Sequence, residues 1–221
     1  MTDLIKTIAD FDTSVFLFFN GIHSPFWDYF MTAFTGKIIW VPMYASILYV
    51  LLKSTNWKVA LAYVLAIGLT ITFADQVCSS AIRPFVERLR PSNPDSPIAD
   101  LVYIVNGRRG GAYGFPSCHA ANSFGLATIL ILLIKKRKLS LFILCWAFLN
   151  SYTRLYLGLH YPGDLVVGGI VGSTGAFLIY YLLRQFKIYQ PIDTKNHYVY
   201  TIYIGLITVL GIIIYSTVQS L

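Results

Sequence analysis

The chain has 221 residues, of which 56% are hydrophobic and only 12% charged, about half the roughly 25% charge of a soluble domain. That excludes an ordinary water-soluble globule and makes lipid the surrounding solvent. The formal net charge of +7 raises nucleic acid as a partner, but the basic residues are divided among loops and form no single stripe, so no nucleic-acid partner is expected.

From the N-terminus, Asp3, Lys6, Asp10 and Asp12 leave no clean apolar core followed by a small-residue cleavage site, so no cleavable signal peptide is expected. Residues 11–34 are rich in aromatics but interrupted by Asp12, Asn20, His23, Pro25 and Asp28. They read as an interfacial or half-inserted helix rather than a full span. Near-continuous apolar runs then recur at 38–53, 59–81, 119–134, 139–158, 165–183 and 198–218. Several approach the ~20 residues that cross a bilayer, where backbone groups are satisfied only in helices or closed barrels. A β-barrel would alternate apolar and polar residues, and stretches such as 127–134 do not. The expected fold is all-α: one domain over 1–221, a polytopic membrane helical bundle of about six transmembrane helices plus an N-terminal interfacial helix.

Lys53 and Lys58, the Lys135–Lys138 cluster, and Arg184, Lys187 and Lys195 sit between runs. The positive-inside rule places those three connections in the cytoplasm. Segments 82–118 and 153–164 then share the opposite side. Their own arginines count against that orientation, and anion binding is the explanation the residues offer. Cys78, Cys118 and Cys145 are odd in number, lie in or beside apolar runs and show no metal-site spacing; packed thiols are expected.

The long connection Pro84–Phe115, with Pro91, Pro94 and Pro97 and then four glycines, is of a length more often functional than idle. Just beyond it, Pro116-Ser117-Cys118-His119 precedes an apolar run. A helix starting there offers free N–H groups and a positive dipole end to an anion. Ser117 alone reads as a simple helix cap; His119 beside it adds a proton donor near neutral pH. Further on, His160 and Asp164 are spaced to meet across one helical turn, with Pro162 suited to the first turn of a helix. Asp164 can orient the imidazole of His160 so that its other nitrogen attacks. A His near an Asp is often only a structural pair, but Arg83, Arg90 and Arg154 lie at run boundaries and each can fork two donors onto phosphate oxygens.

Arg83, six residues, then Arg90-Pro91; Pro116 to His119; and Thr153-Arg154, five residues, His160, three residues, Asp164 together resemble the three signatures of the type 2 phosphatidic acid phosphatase superfamily, which holds membrane lipid phosphatases and vanadium haloperoxidases. The resemblance implies a phosphohistidine on His160, with Asp164 orienting it and His119 protonating the leaving group. It implies that Arg83, Arg90, Ser117, Arg154 and the amides near Cys118 hold the phosphate, and that no metal or other cofactor is needed. Three positions depart from the pattern: Arg83 for Lys, Cys118 for Gly and Thr153 for Ser.

Asp75, with Ser79 and Arg83 at four-residue steps, is a candidate to orient the arginines, as is Asn150 for Arg154 four residues later. Arg108 and Arg109 are candidate contacts for a second anionic group on the substrate. The expected partners are a phosphorylated lipid and the membrane, the location a bacterial inner membrane with the site facing the periplasm. The implied substrates include lipid A, undecaprenyl diphosphate and phosphatidylglycerol phosphate. Lipid-to-lipid phosphotransfer is the alternative on the same residues, and an anion-binding transport protein a more distant one.

Overall fold

The Asn56 side chain accepts hydrogen bonds from the backbone N–H groups of Lys58 and Val59, capping a helix that runs apolar for the next twenty residues. This computed structural model describes residues 2–221. Its helices are α1 (Thr2–Asn20), α2 (Pro25–Phe34), α3 (Val41–Ser54), α4 (Trp57–Gln76), α5 (Arg83–Val86), α6 (Cys118–Ile134), α7 (Arg137–Tyr156), α8 (Pro162–Gln185) and α9 (Tyr198–Ser220). Among the described residues there is no strand, only an isolated bridge between Leu89 and Tyr113. A π-helical segment, Val77–Ile82, carries α4 into α5.

The protein is all-helical, as its composition requires. Among the described residues, three helical stretches are long and apolar enough to cross a membrane: Trp57–Val86, Pro162–Gln185 and Tyr198–Ser220. A fourth qualifies if α2 and Ile38–Ser54, bent by 68° to each other, form one broken span. The N-terminal region differs from the single interfacial helix expected over 11–34. The chain breaks after Asn20, and Ser24 caps α2 with Pro25 at its first position, a residue suited to a helix start and not to its interior.

Helices α6 and α8 make the closest approach. Gly168 and Gly172 have no room for a Cβ: it would overlap the carbonyls of Ser117 and Ala121 respectively. This is the small-residue packing that brings helices together in lipid, where tails are as apolar as side chains and burial gives little driving force. The consequence is local to both helix starts, since the Ser117 N–H donates to the Asp164 carbonyl at 3.0 Å. Around this pair a core of Phe34, Trp40, Leu130, Ile143, Trp146 and neighbours fills the bundle.

The two ends of the bundle differ. Tyr63, in the second turn of α4, exchanges hydrogen bonds with the backbone of Gln190 after α8, and the Lys135 ammonium sits over the rings of Tyr180 and Tyr189. The connections α3–α4, α6–α7 and α8–α9 therefore share one end. At the other, Asn20 bonds Tyr156 O and Tyr103 N, while Asp28 accepts from the hydroxyls of Tyr156 at 2.6 Å and Tyr103 at 3.2 Å. These bonds tie α1 and α2 to the long loop and to the C-terminal end of α7.

Candidate active site

Three buried arginine Nε atoms, those of Arg83, Arg90 and Arg154, have no hydrogen-bond partner among the described residues. Orphaned buried donors are rare and costly, and three on guanidinium groups gathered at one end of the bundle mark a place built for an anion. Arg90 shows the crowding: burial first, then the charge of Arg83, pushes its pKa down from the ordinary value.

Each arginine is aimed by its other nitrogens. Arg83 Nη2 donates to Pro116 O at 2.9 Å and contacts Cys118 Sγ at 3.0 Å. Arg90 Nη1 donates to Leu159 O at 2.9 Å, and Arg154 Nη1 donates to Thr35 Oγ1 at 3.1 Å. Ser117, fully buried, caps α6 by accepting from Ala120 N, so the helix start beside it presents free amides.

His160 is 2% exposed and lies in the turn between α7 and α8. Its Nδ1 is 3.3 Å from Asp164 Oδ2, and its Nε2 is 2.8 Å from Arg90 Nη1. A guanidinium can only donate, so Nε2 accepts and carries the lone pair, and the ring proton sits on Nδ1 facing Asp164. Burial, and then the charges of Arg90, Arg154 and Arg83, push the His160 pKa well below 6.5. The ring is neutral at pH 7 and can act as a nucleophile at Nε2. Asp164 is held in turn by the Tyr161 N–H at 3.1 Å and Arg88 Nη1 at 3.1 Å. A side chain at Gly114 would press on Arg90 and Asp164.

The proton on His119 follows from its neighbours. The Ser123 hydroxyl donates to His119 O, so Ser123 Oγ accepts from Asn150 Nδ2 at 2.8 Å. That turns Asn150 Oδ1 toward His119 Nε2 at 3.3 Å, with Thr35 Oγ1 at 3.2 Å from the same nitrogen. Nε2 therefore carries hydrogen. Among the described residues no three His, Cys, Asp or Glu side chains come together as a metal-ligand set.

The motif residues of the sequence thus meet in one place, and the other candidate residues make the following contacts. Asn150 contacts His119 and not Arg154, because one helical turn points its amide into the α6 side of the site. Asp75 makes no hydrogen bond or ion pair with the arginines; the π-helical turns between it and Arg83 break the four-residue register. Arg109 is tied to the Ser92 carbonyl, and Arg108 is exposed.

Residues 57–188 match the model of the PAP2 superfamily. The chain belongs to that superfamily. It is similar to a lipid A 4'-phosphatase of Bacteroides thetaiotaomicron, 65% identical over 98% of this chain and all of that protein. A lipid A 4'-phosphatase of Porphyromonas gingivalis is 34% identical over 80% of this chain and 74% of that one, and an undecaprenyl-diphosphatase of Sulfolobus acidocaldarius is 27% identical over 67% and 66%. The crystal structure of Aquifex aeolicus LpxE shares the fold, with a TM-score of 0.57 at 23% identity over 76% of this chain and 93% of that one. The protein is a membrane lipid phosphatase of the PAP2 superfamily.

Three residues absent from the superfamily motifs complete the site. Asp12 on α1 accepts from Arg88 Nη1 at 2.7 Å and from Gly163 N at 2.7 Å, so Arg88 bridges Asp12 and Asp164, with its guanidinium 3.7 Å from the centre of the Tyr161 ring. Thr35, after α2, joins His119 to Arg154. Asp12 in an aromatic-rich helix and Arg88 two residues before Arg90 were the available signals; Thr35 gave none.

Proposed function

We propose that this superfamily member removes a phosphate from lipid A through a phosphohistidine at His160. What carries the mechanism is the position of His160, with Asp164 on Nδ1 and Arg90 on Nε2. The lipid is proposed from the 65% identity to the Bacteroides lipid A 4'-phosphatase along the whole length of both chains.

In the first step the phosphate displaces the Arg90 contact and His160 Nε2 attacks phosphorus. An N–P bond forms, the P–O bond to the lipid breaks, and His119, charged as an imidazolium beside the bound phosphate, gives one proton to the departing oxygen and is left neutral. Arg83, Arg90, Arg154, Ser117 and the amides at Cys118 and His119 hold the equatorial oxygens as charge builds. Asp164 stabilises the positive imidazole, as an orienting carboxylate does beside a catalytic histidine. In the second step water attacks phosphorus, gives a proton to His119, and the N–P bond breaks to release phosphate.

The six apolar helices α3, α4, α6, α7, α8 and α9 are the proposed spans, with α1 lying at the interface and the chain folded as one domain. The lysine-bearing ends of α3, α6 and α8 face the cytoplasm on this reading, which puts the site at the periplasmic face of a bacterial inner membrane. A phosphate-release panel of lipid A, undecaprenyl diphosphate and phosphatidylglycerol phosphate at equal detergent ratios tests the substrate. Lipid A is expected to give the highest kcat/KM. A higher value for either other lipid, or release only when a lipid acceptor is added, would overturn the assignment.

A further inference from the structure

Cys118 opens α6 beside the phosphate cradle, half-buried, and its Sγ lies 3.0 Å from Arg83 Nη2. Behind it stands a second thiol. Cys78 is fully buried in the π-helical segment Val77–Ile82, in a small cluster with Ala74 and Ala121 against which Cys118 packs. The two cysteine side chains interact directly. The π-helical turn accounts for this meeting. The Arg83 N–H donates to Cys78 O, an i to i+5 step that stacks Arg83 over Cys78, so both side chains converge on Cys118 from one face of the same helix.

The thiolate is the reactive form of cysteine, and a neighbouring guanidinium and a helix N-terminus are two features that favour it. Cys118 has both and is not sealed from solvent. A reactive, accessible thiol with a second thiol beside it is the arrangement of a redox-sensing pair. The third cysteine, Cys145, is exposed on α7.

We propose that Cys118 is a site of oxidation by hydrogen peroxide and that Cys78 resolves it, the resulting disulfide switching the phosphatase off. This rests on the phosphatase reading above. Cys118 Sγ attacks one peroxide oxygen, the O–O bond breaks, and the other oxygen leaves as water with the Cys118 proton, which makes a sulfenic acid. Cys78 Sγ then attacks the Cys118 sulfur. An S–S bond forms, the S–OH bond breaks, and the hydroxide leaves as water with the Cys78 proton. Two thiols lose two electrons and two protons, and the peroxide is reduced to two waters.

The Cys118 sulfur cannot serve both neighbours. Bonded to Cys78, it leaves Arg83 Nη2 and draws the first turn of α6, with the amides of Cys118 and His119, toward α4. Misplacing a catalytic group by about 1 Å can cost about a hundredfold in rate. On the periplasmic reading, the pair also lies in a compartment where disulfides persist.

The test uses full-length protein in lipid nanodiscs carrying Cys145→Ser, so that only the pair remains, treated with hydrogen peroxide and then with dithiothreitol. Phosphate release from p-nitrophenyl phosphate is expected to fall about tenfold or more on oxidation and to return on reduction. Peptide mapping without reduction should show Cys78 joined to Cys118. Cys78→Ala should match the parent before treatment, yet after prolonged peroxide its activity should not return, because an unresolved sulfenic acid passes to the sulfinic acid that dithiothreitol cannot reduce. Oxidised protein with no Cys78–Cys118 link, or with the link and an unchanged rate, overturns the switch. Full recovery of Cys78→Ala after the same prolonged treatment overturns the resolving role of Cys78. Untreated protein that releases no phosphate from either p-nitrophenyl phosphate or lipid A overturns the phosphatase reading itself, a distinct result.

Discussion

Arg90 Nη1 lies 2.8 Å from His160 Nε2, so in the proposed mechanism the group that binds the phosphate also holds the lone pair that attacks it. On that proposal the arrangement keeps the nucleophile neutral and points it at the place where phosphorus would arrive.

The first prediction concerns pH. His160 has its pKa lowered by burial and by nearby positive charge, Arg90 foremost among the charges. Its neutral form persists as pH falls through 6.5, and the acid limb of kcat/KM, which reports the free enzyme, lies below that value. Removing a positive charge eases protonation, so Arg90→Gln should shift this limb upward toward neutral pH as well as lowering the rate. A pH profile of the residual activity decides this; a limb that stays or moves down contradicts it.

Thr35→Val tests the link between His119 and Arg154. Without the hydroxyl, His119 keeps Asn150 alone, and Arg154 loses its anchor. Turnover of alkyl phosphates, whose leaving oxygen needs a proton, should fall about tenfold, within the scale of acid catalysis. Hydrolysis of p-nitrophenyl phosphate, whose leaving group departs unprotonated, should change much less, and Thr35→Ser should restore the alkyl rate. Equal losses on both substrates would show that Thr35 does not act through His119.

How much of this was legible beforehand varies with the range of the contact. The arginines, His119, His160 and Asp164 could be read because spacing within short segments constrains which side chains a helix start or turn brings together. The break at Gly21–Ser24 was signalled by Pro25 but hidden by the aromatics around it. Asp75 makes no direct contact with Arg83, because a π-helical segment changes the register that a regular helix would keep. The partners of Asp12 and Thr35 lie more than seventy residues away in the chain, and no local pattern reports such pairs.

Asp12 supplies a prediction from that unseen part. Asp12→Ala strips a partner from Arg88 and from the Gly163 N–H, which should lower stability by roughly 1–3 kcal/mol. It should also let the Arg88–Asp164 pair drift, with kcat down by about tenfold to a hundredfold and KM little changed. Asp12→Asn keeps an acceptor for Gly163 and should recover most of the thermal stability but not the rate. Thermal melts read beside kcat separate the two effects; recovery of both by Asn would show that the charge of Asp12 has no part in catalysis.

The central claim is a phosphorylated His160, and rapid quenching tests it most directly. Protein mixed with a lipid substrate carrying radiolabelled phosphate, quenched in alkali within one turnover and digested, should yield the label on the peptide containing His160, in an acid-labile bond. His160→Ala, folded by its thermal melt, should yield neither label nor phosphate release. Full phosphatase activity in His160→Ala would contradict the account.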